Sequence, residues 1–203
     1  MADEKEKERE RLAEEKEAER QRLATAEALD EFRKETLRRT VAVTVAVRRV
    51  PLLVSAHRTY KTYDEQMRAV IDAYLDLRAV RHEVDNPGVA SNAAFCDWNE
   101  IRESMDTMED YLGSLCEEFA GEASNKISEG QREAEQNRER QREIWDRLRE
   151  LPVLGDMLLE RPDRREPGTT PTKTNYYASY LKPYEEVLKL MRAQLLRGPS
   201  ATG

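Results

Sequence analysis

The residues best suited to chemistry in this 203-residue chain are two cysteines and two histidines. Cys96 lies in the first turns of an amphipathic segment, where a helix dipole lowers the pKa of a thiol. Either His57 or His82 could serve as its base. However, Cys96 and Cys116 flank an apolar stripe, where buried cysteine is common, and a packing role is favoured. We therefore expect a protein that is not an enzyme, although the sequence leaves the reactivity of Cys96 open.

Metal and nucleotide sites have no complete signature in the sequence. A carboxylate-bridged di-metal bundle needs two Glu-x-x-His motifs, and neither histidine has a glutamate three residues before it. The chain contains no Cys-x-x-Cys, no His-Glu-x-x-His and no glycine-rich phosphate loop. The acids Glu100, Glu103, Asp106 and Asp110 are interpreted as a solvated helix face. No metal and no other cofactor is expected.

A basic segment, residues 33–61, is the one stretch suited to binding something other than protein. It holds eight basic residues and one acid, whereas residues 62–122 carry fifteen acids and four bases. Neutralisation of these acidic helices by the basic segment is favoured, since both belong to one chain. The alternative is a peripheral binder of nucleic acid or anionic membrane. Its candidate anion-binding residues are Arg38, Arg39, Arg48 and Arg49.

An apolar stretch from Thr40 to Ala56 is interrupted near its centre by Arg48 and Arg49. Each central arginine costs about 2.5–3.5 kcal/mol on membrane insertion, while each valine or leucine returns about 0.3–0.6 kcal/mol. No transmembrane span is therefore expected. The charged N-terminus lacks the apolar region of a signal peptide, and two cysteines make a disulfide framework improbable. These features predict a cytoplasmic protein.

Apolar spacing predicts the helices that would position these residues. Spacings of three and four residues from Tyr60 to Val84 and from Phe95 to Phe119 predict two helices. The turn signal Asn86-Pro87-Gly88 between them predicts a helical hairpin over 60–119. The aromatic and methionine residues on these stripes are interpreted as core, with a partner interface as the alternative. They are Tyr60, Tyr63, Met67, Tyr74, Trp98, Met105 and Met108.

The stretch Val41–Val47 alternates like a β-strand, but the chain offers no second strand to pair with it. We therefore expect a helix here, up to a kink or break near Pro51.

Together these patterns predict an all-α protein: an antiparallel helical bundle with long charged helical arms, and a C-terminal helix after a linker rich in proline and threonine. The charged stretches 2–22 and 129–143 have too little apolar surface to be stabilised by their own packing. We therefore predict a non-enzymatic interaction or structural protein that self-associates as a dimer or higher oligomer, or binds another protein subunit. The predicted parts are a charged arm that can fray (1–24), a bundle (25–160), a linker (161–174), a C-terminal helix (175–197) and a disordered tail (198–203).

Overall fold

The structure is a computed structural model that describes residues 2–85, 95, 97–124, 138–158 and 175–196. Within these residues all regular structure is helical, so the all-α prediction is confirmed. The predicted turn at 86–88, the linker and the tail lie outside the described residues. The helices are α1 (Ala2–His57), α2 (Tyr60–Asp85), α3 (Trp98–Ser124), α4 (Arg138–Glu150), α5 (Pro152–Met157) and α6 (Lys182–Leu196), with a π-helical turn at Tyr177–Leu181 leading into α6.

The first helix, α1, runs without interruption through the alternating Val41–Val47 stretch, which confirms helix over strand there. It also continues through Pro51 to His57, so of the predicted kink or break near Pro51 the break does not occur. A proline inside a helix costs about 3 kcal/mol. The fully buried side chains of Val50 and Val54 flank it, and burial of each valine stabilises the fold by roughly 1.5–3 kcal/mol. Packing on both sides of the proline therefore outweighs its cost.

The chain turns from α1 into α2 at Arg58 and Thr59. Arg58 adopts a left-handed conformation, with φ at 53°, and its N–H donates to the Val54 carbonyl at 2.8 Å. Thr59 caps α2, because its Oγ1 accepts the backbone N–H three residues further on at 3.2 Å. The turn brings the second half of α1 beside α2, where Arg39 donates to the Asp76 carbonyl at 3.4 Å.

The core lies where the second half of α1 meets α2, α3 and residues 176–196, which we call the C-terminal helical segment. Aromatic rings join these elements: Tyr63 of α2 lies 5.5 Å from Phe119 of α3, and Phe32 of α1 lies 6.4 Å from Phe95. The apolar stripe of α3 is almost entirely enclosed, which explains its regular spacing. Its buried members are Trp98, Ile101, Met105, Met108, Leu112, Leu115 and Phe119.

The N-terminal part of α1 extends beyond this core. Every side chain from residue 11 to residue 25 is exposed, and core packing begins at Leu29 and Phe32. At 1.5 Å per residue the whole helix is about 84 Å long. One continuous helix therefore supplies both a wall of the core and a long arm.

Candidate interaction surface

Four large apolar side chains of α1 face solvent. Leu12, Leu23, Val45 and Leu52 are 47%, 60%, 47% and 69% exposed. At 100° per residue these four positions fall within an arc of about 60° on the helix. The buried valines of α1 lie on the opposite side. We call the set Leu12, Leu23, Val45 and Leu52 the outer face of α1.

The alternating valines explain why apolar residues reach both sides of this helix. A helix places residues four apart on one side, so Val43 and Val47 are buried together, whereas Val45 points outward. The inner side also carries the buried threonines Thr40 and Thr44. Their hydroxyls donate to the backbone carbonyls four residues earlier, at 2.8 and 3.1 Å, and the Thr44 hydroxyl also lies 3.1 Å from the hydroxyl of Tyr180.

Among the described helices, α1 alone is long and apolar enough to cross a membrane by length and composition. Within its most apolar window 33% of the residues are buried inside the protein. Core helices of soluble proteins pass the same criterion.

Two of the four candidate anion-binding arginines pair within their own helix. Glu35 accepts hydrogen bonds from Arg38 Nε at 2.7 Å and from Arg39 Nε at 2.6 Å. These hydrogen bonds hold the pKa of the Glu35 carboxyl at about 2. Much of the charge of Arg38 and Arg39 is therefore offset locally, by an acid one turn away.

The other two arginines lie beside the outer face. The Arg48 guanidinium is 5.6 Å from the ring centroid of Tyr184 and hydrogen-bonds to Tyr176. Burial raises the pKa of Tyr176 to about 12, and Arg48 opposes part of this increase. Arg49 is exposed and makes no hydrogen bond or ion pair with the described residues. No acid occurs between residues 36 and 63, so this part of the surface is positive.

The acids of α3 find partners outside the basic segment. Arg81 of α2 pairs with Asp106 and with Glu109, the latter at 2.8 Å. Arg147 of α4 pairs with Glu122 at 2.9 Å. Of the α1 arginines described above, Arg38 and Arg39 instead pair with Glu35, and Arg48 contacts tyrosine side chains. The predicted neutralisation of the acidic helices therefore involves Arg81 and Arg147 more directly than these arginines.

The seven aromatic and methionine residues predicted as core or interface are mostly enclosed. Tyr60 and Tyr74 are half-buried, and the Arg78 guanidinium lies 5.8 Å from the Tyr74 ring. These two keep some surface that a partner could contact. The other five are at most 5% exposed and belong to the core: Tyr63, Met67, Trp98, Met105 and Met108.

A polar groove of about 330 Å³ lies between α2 and α3, bordered by Arg78, Glu109 and Glu117. Its floor includes Gly113, where a Cβ atom would meet nothing within 4 Å. The side chains that border the groove carry charges of both signs, so they do not indicate a particular class of ligand. In the part of the chain that the structure describes, no group of three or more His, Cys, Asp or Glu is placed to hold a metal ion.

Of the two cysteines considered from the sequence, the structure describes one. Cys116 is a half-buried free thiol, and burial raises its pKa to about 11. It is therefore protonated at neutral pH and a poor nucleophile. Cys96 lies outside the described residues.

The outer face of α1 was not singled out from the sequence as a set. Its signal is the spacing of eleven residues between Leu12 and Leu23 and of seven residues between Val45 and Leu52. Eleven residues make about three helical turns and seven make about two, so both members of each pair lie on one side. The charged residues between them conceal this pattern.

No family model, curated protein or solved structure matches the chain. Its class is therefore defined by the described structure alone: an all-α protein with a long helix that is apolar on its inner side and presents exposed leucines and valine on its outer face.

Proposed function

We propose that this chain is a non-enzymatic interaction protein and that the outer face of α1 binds a helix of a protein partner. One observation carries the proposal: the four exposed large apolar side chains of α1 share one side of the helix. Exposed apolar residues in a line mark protein interaction sites more often than scattered ones do. Helices recognise each other through such lines, with anchors separated by whole turns.

The energetics of the arm support the same proposal. Isolated helices gain little stability from their own hydrogen bonds, and most helices in proteins are stabilised by packing of an apolar side. Between residues 11 and 25, Leu12 and Leu23 are the only large apolar residues, and both face solvent. Full burial of a leucine contributes roughly 1.5–3 kcal/mol, so a partner that covers both would stabilise the arm considerably.

Affinity purification from the native host tests this proposal. The bait variant Leu23→Glu/Leu52→Glu places two charges on the outer face, and Leu75→Glu places one on an exposed leucine of α2 as the matched control. Proteins captured by the wild type and by Leu75→Glu should be lost from the double variant. Circular dichroism and thermal unfolding establish that both variants fold. Capture of the same proteins by the folded double variant would refute the proposal.

A second candidate function is binding of an anionic surface through the basic segment 33–61. It is supported by the exposed side chains of Arg49 and Leu52, which lie within residues 36–63, a stretch that lacks acids. We prefer a protein partner because the outer face continues into residues 2–32, where twelve acids and seven bases give a net charge of −5. An anionic membrane or nucleic acid would repel this part of the same face.

We also propose that α1 does not span a membrane, since its apolar stretch packs against the core and contains Arg48 and Arg49. Sedimentation with phosphatidylserine vesicles and a gel shift with duplex DNA, both at low salt, test the second candidate function. The comparison is between wild type and Arg38→Ser/Arg39→Ser/Arg48→Ser/Arg49→Ser. Binding that the variant loses would favour the surface-binding function, and absence of wild-type binding would exclude it.

A further inference from the structure

We infer that the partner helix is α1 of a second copy of this chain, and that the two helices lie antiparallel with their outer faces in contact. The inference rests on the proposed function, because it specifies what the outer face of α1 binds.

The charge distribution along α1 is the first argument. Residues 2–32 carry twelve acids and seven bases, a net charge of −5, whereas residues 33–57 carry six bases and one acid, a net charge of +5. Parallel pairing would place halves of like sign side by side. Antiparallel pairing places the negative half of each helix along the positive half of the other, twice by symmetry.

The positions of the apolar residues give the register. Leu12 and Leu23 are eleven residues apart, and so are Leu52 and Val41, a half-buried valine on the same side of α1 as the outer face. An antiparallel pair centred on residue 32 brings Leu12 opposite Leu52 and Leu23 opposite Val41, each contact occurring twice, and it places Val45 opposite Glu19. The charge of α1 changes sign between residues 32 and 33, at this same centre. The Leu12–Leu52 contact and the charge distribution therefore agree on this alignment.

The shape of the described structure allows this pairing. The buried valines of α1 lie opposite its outer face, so the parts of the two cores that they enter would sit on opposite sides of the helix pair. Residues 7–57 of each copy would overlap over about 75 Å. A strip of that length and about 10 Å wide covers roughly 750 Å², close to the ~800 Å² per partner of a standard protein interface.

Light scattering measures whether the full-length protein is a dimer. We expect twice the monomer mass at low salt and a shift toward the monomer as salt increases, since the Debye length falls from about 10 Å at 0.1 M to about 3 Å at 1 M. The Leu23→Glu/Leu52→Glu variant should be monomeric at every salt concentration, and Leu75→Glu should remain dimeric.

Disulfide cross-linking measures the orientation. The variants Leu12→Cys and Leu52→Cys are made in a Cys96→Ser/Cys116→Ser background. The two proteins are mixed so that their subunits exchange, and the mixture is then oxidised. We expect a cross-linked dimer in the mixture and none from either variant alone, because like positions in the antiparallel pair are about 60 Å apart. Leu75→Cys mixed with Leu12→Cys is the control and should not cross-link.

The outcomes separate the inference from the proposed function. Cross-linking of Leu12→Cys alone shows a parallel pair and overturns the inference only. A dimer in which no pair cross-links also overturns it, since the contact then lies elsewhere. A monomer that still captures other proteins through the outer face overturns the inference while the proposed function stands. A monomer that captures nothing through this face overturns both.

Discussion

The hydroxyl oxygen of Tyr180 lies 3.1 Å from Thr44 Oγ1 and joins the C-terminal helical segment to the middle of α1. Thr44 donates its own hydroxyl proton to the Thr40 carbonyl, so Tyr180 is the donor in this contact. The Tyr180 ring also lies 5.5 Å from the Tyr111 ring of α3. A single tyrosine therefore links three elements that are distant in the sequence.

The hydroxyl groups of Tyr180 and Tyr111 should contribute differently to stability. Tyr180→Phe removes a buried hydrogen bond and should lower the free energy of unfolding by about 0.5–1.5 kcal/mol. The Tyr111 hydroxyl is buried without a hydrogen-bond partner among the described residues, so Tyr111→Phe should leave the stability unchanged or raise it. Urea unfolding of both variants measures the difference. An equal loss in the two would contradict the assigned hydrogen bonding.

Glu118 of α3 caps the short helix α5. Its carboxylate accepts the backbone N–H groups of Val153 at 2.7 Å and Leu154 at 2.9 Å. Glu118→Ala leaves both donors without this acceptor and should lower the free energy of unfolding by about 1–3 kcal/mol. Glu118→Gln should lose less, because its amide keeps one acceptor oxygen. Chemical unfolding compares the two variants, and an equal loss would show that the side chain acts through packing.

The same carboxylate should produce a pH dependence of stability. Burial raises the pKa of Glu118 above its ordinary value of 4.5, although the two backbone hydrogen bonds oppose part of the shift. As pH rises through 4.5, the unfolded chain releases this proton before the folded protein does, so the contribution of Glu118 to stability decreases. The stability of wild type relative to Glu118→Gln should therefore fall as pH rises above about 4.5. If this difference in stability instead rises as pH increases, the pKa of Glu118 is lowered in the folded protein rather than raised.

The helices could be predicted from the sequence because their burial follows helical spacing. The stripe from Phe95 to Phe119 has gaps of three and four residues, and its side chains are buried as expected. The break near Pro51 was a wrong prediction, since the burial of Val50 and Val54 depends on helices elsewhere in the chain. Local propensity contains no information about such tertiary contacts.

The candidate surface could be predicted only in part. The basic segment was visible as a charge count, but the pairing of Arg38 with Glu35 and of Arg48 with Tyr184 depends on rotamers and on a distant helix. The outer face could not be recognised, because its exposure depends on which side of α1 the core occupies. Val43 and Val45 are identical residues two positions apart, and only packing makes the first buried and the second exposed.

The Glu35 carboxyl should titrate far below its ordinary value. Hydrogen bonds from Arg38 and Arg39 lower its pKa from 4.5 to about 2. Its contribution to stability is therefore present above pH 4.5 and is lost as pH falls from 4.5 toward 2. In NMR titrations, Arg38→Gln should move the Glu35 pKa toward 4.5, whereas Arg49→Gln should leave it unchanged. A wild-type pKa near 4.5 would show that these pairs do not form in solution.

The Cys116 thiol should react slowly with alkylating reagents at neutral pH. Burial raises its pKa to about 11, and the thiolate is the reactive form. In a Cys96→Ser background, the rate of iodoacetamide modification should keep rising up to about pH 11, whereas the same thiol in urea-unfolded protein should reach its plateau near the ordinary value of 9. Mass spectrometry at fixed times measures both rates. A folded-state plateau below pH 9 would show a stabilised thiolate and would reopen the question of nucleophilic chemistry at this cysteine.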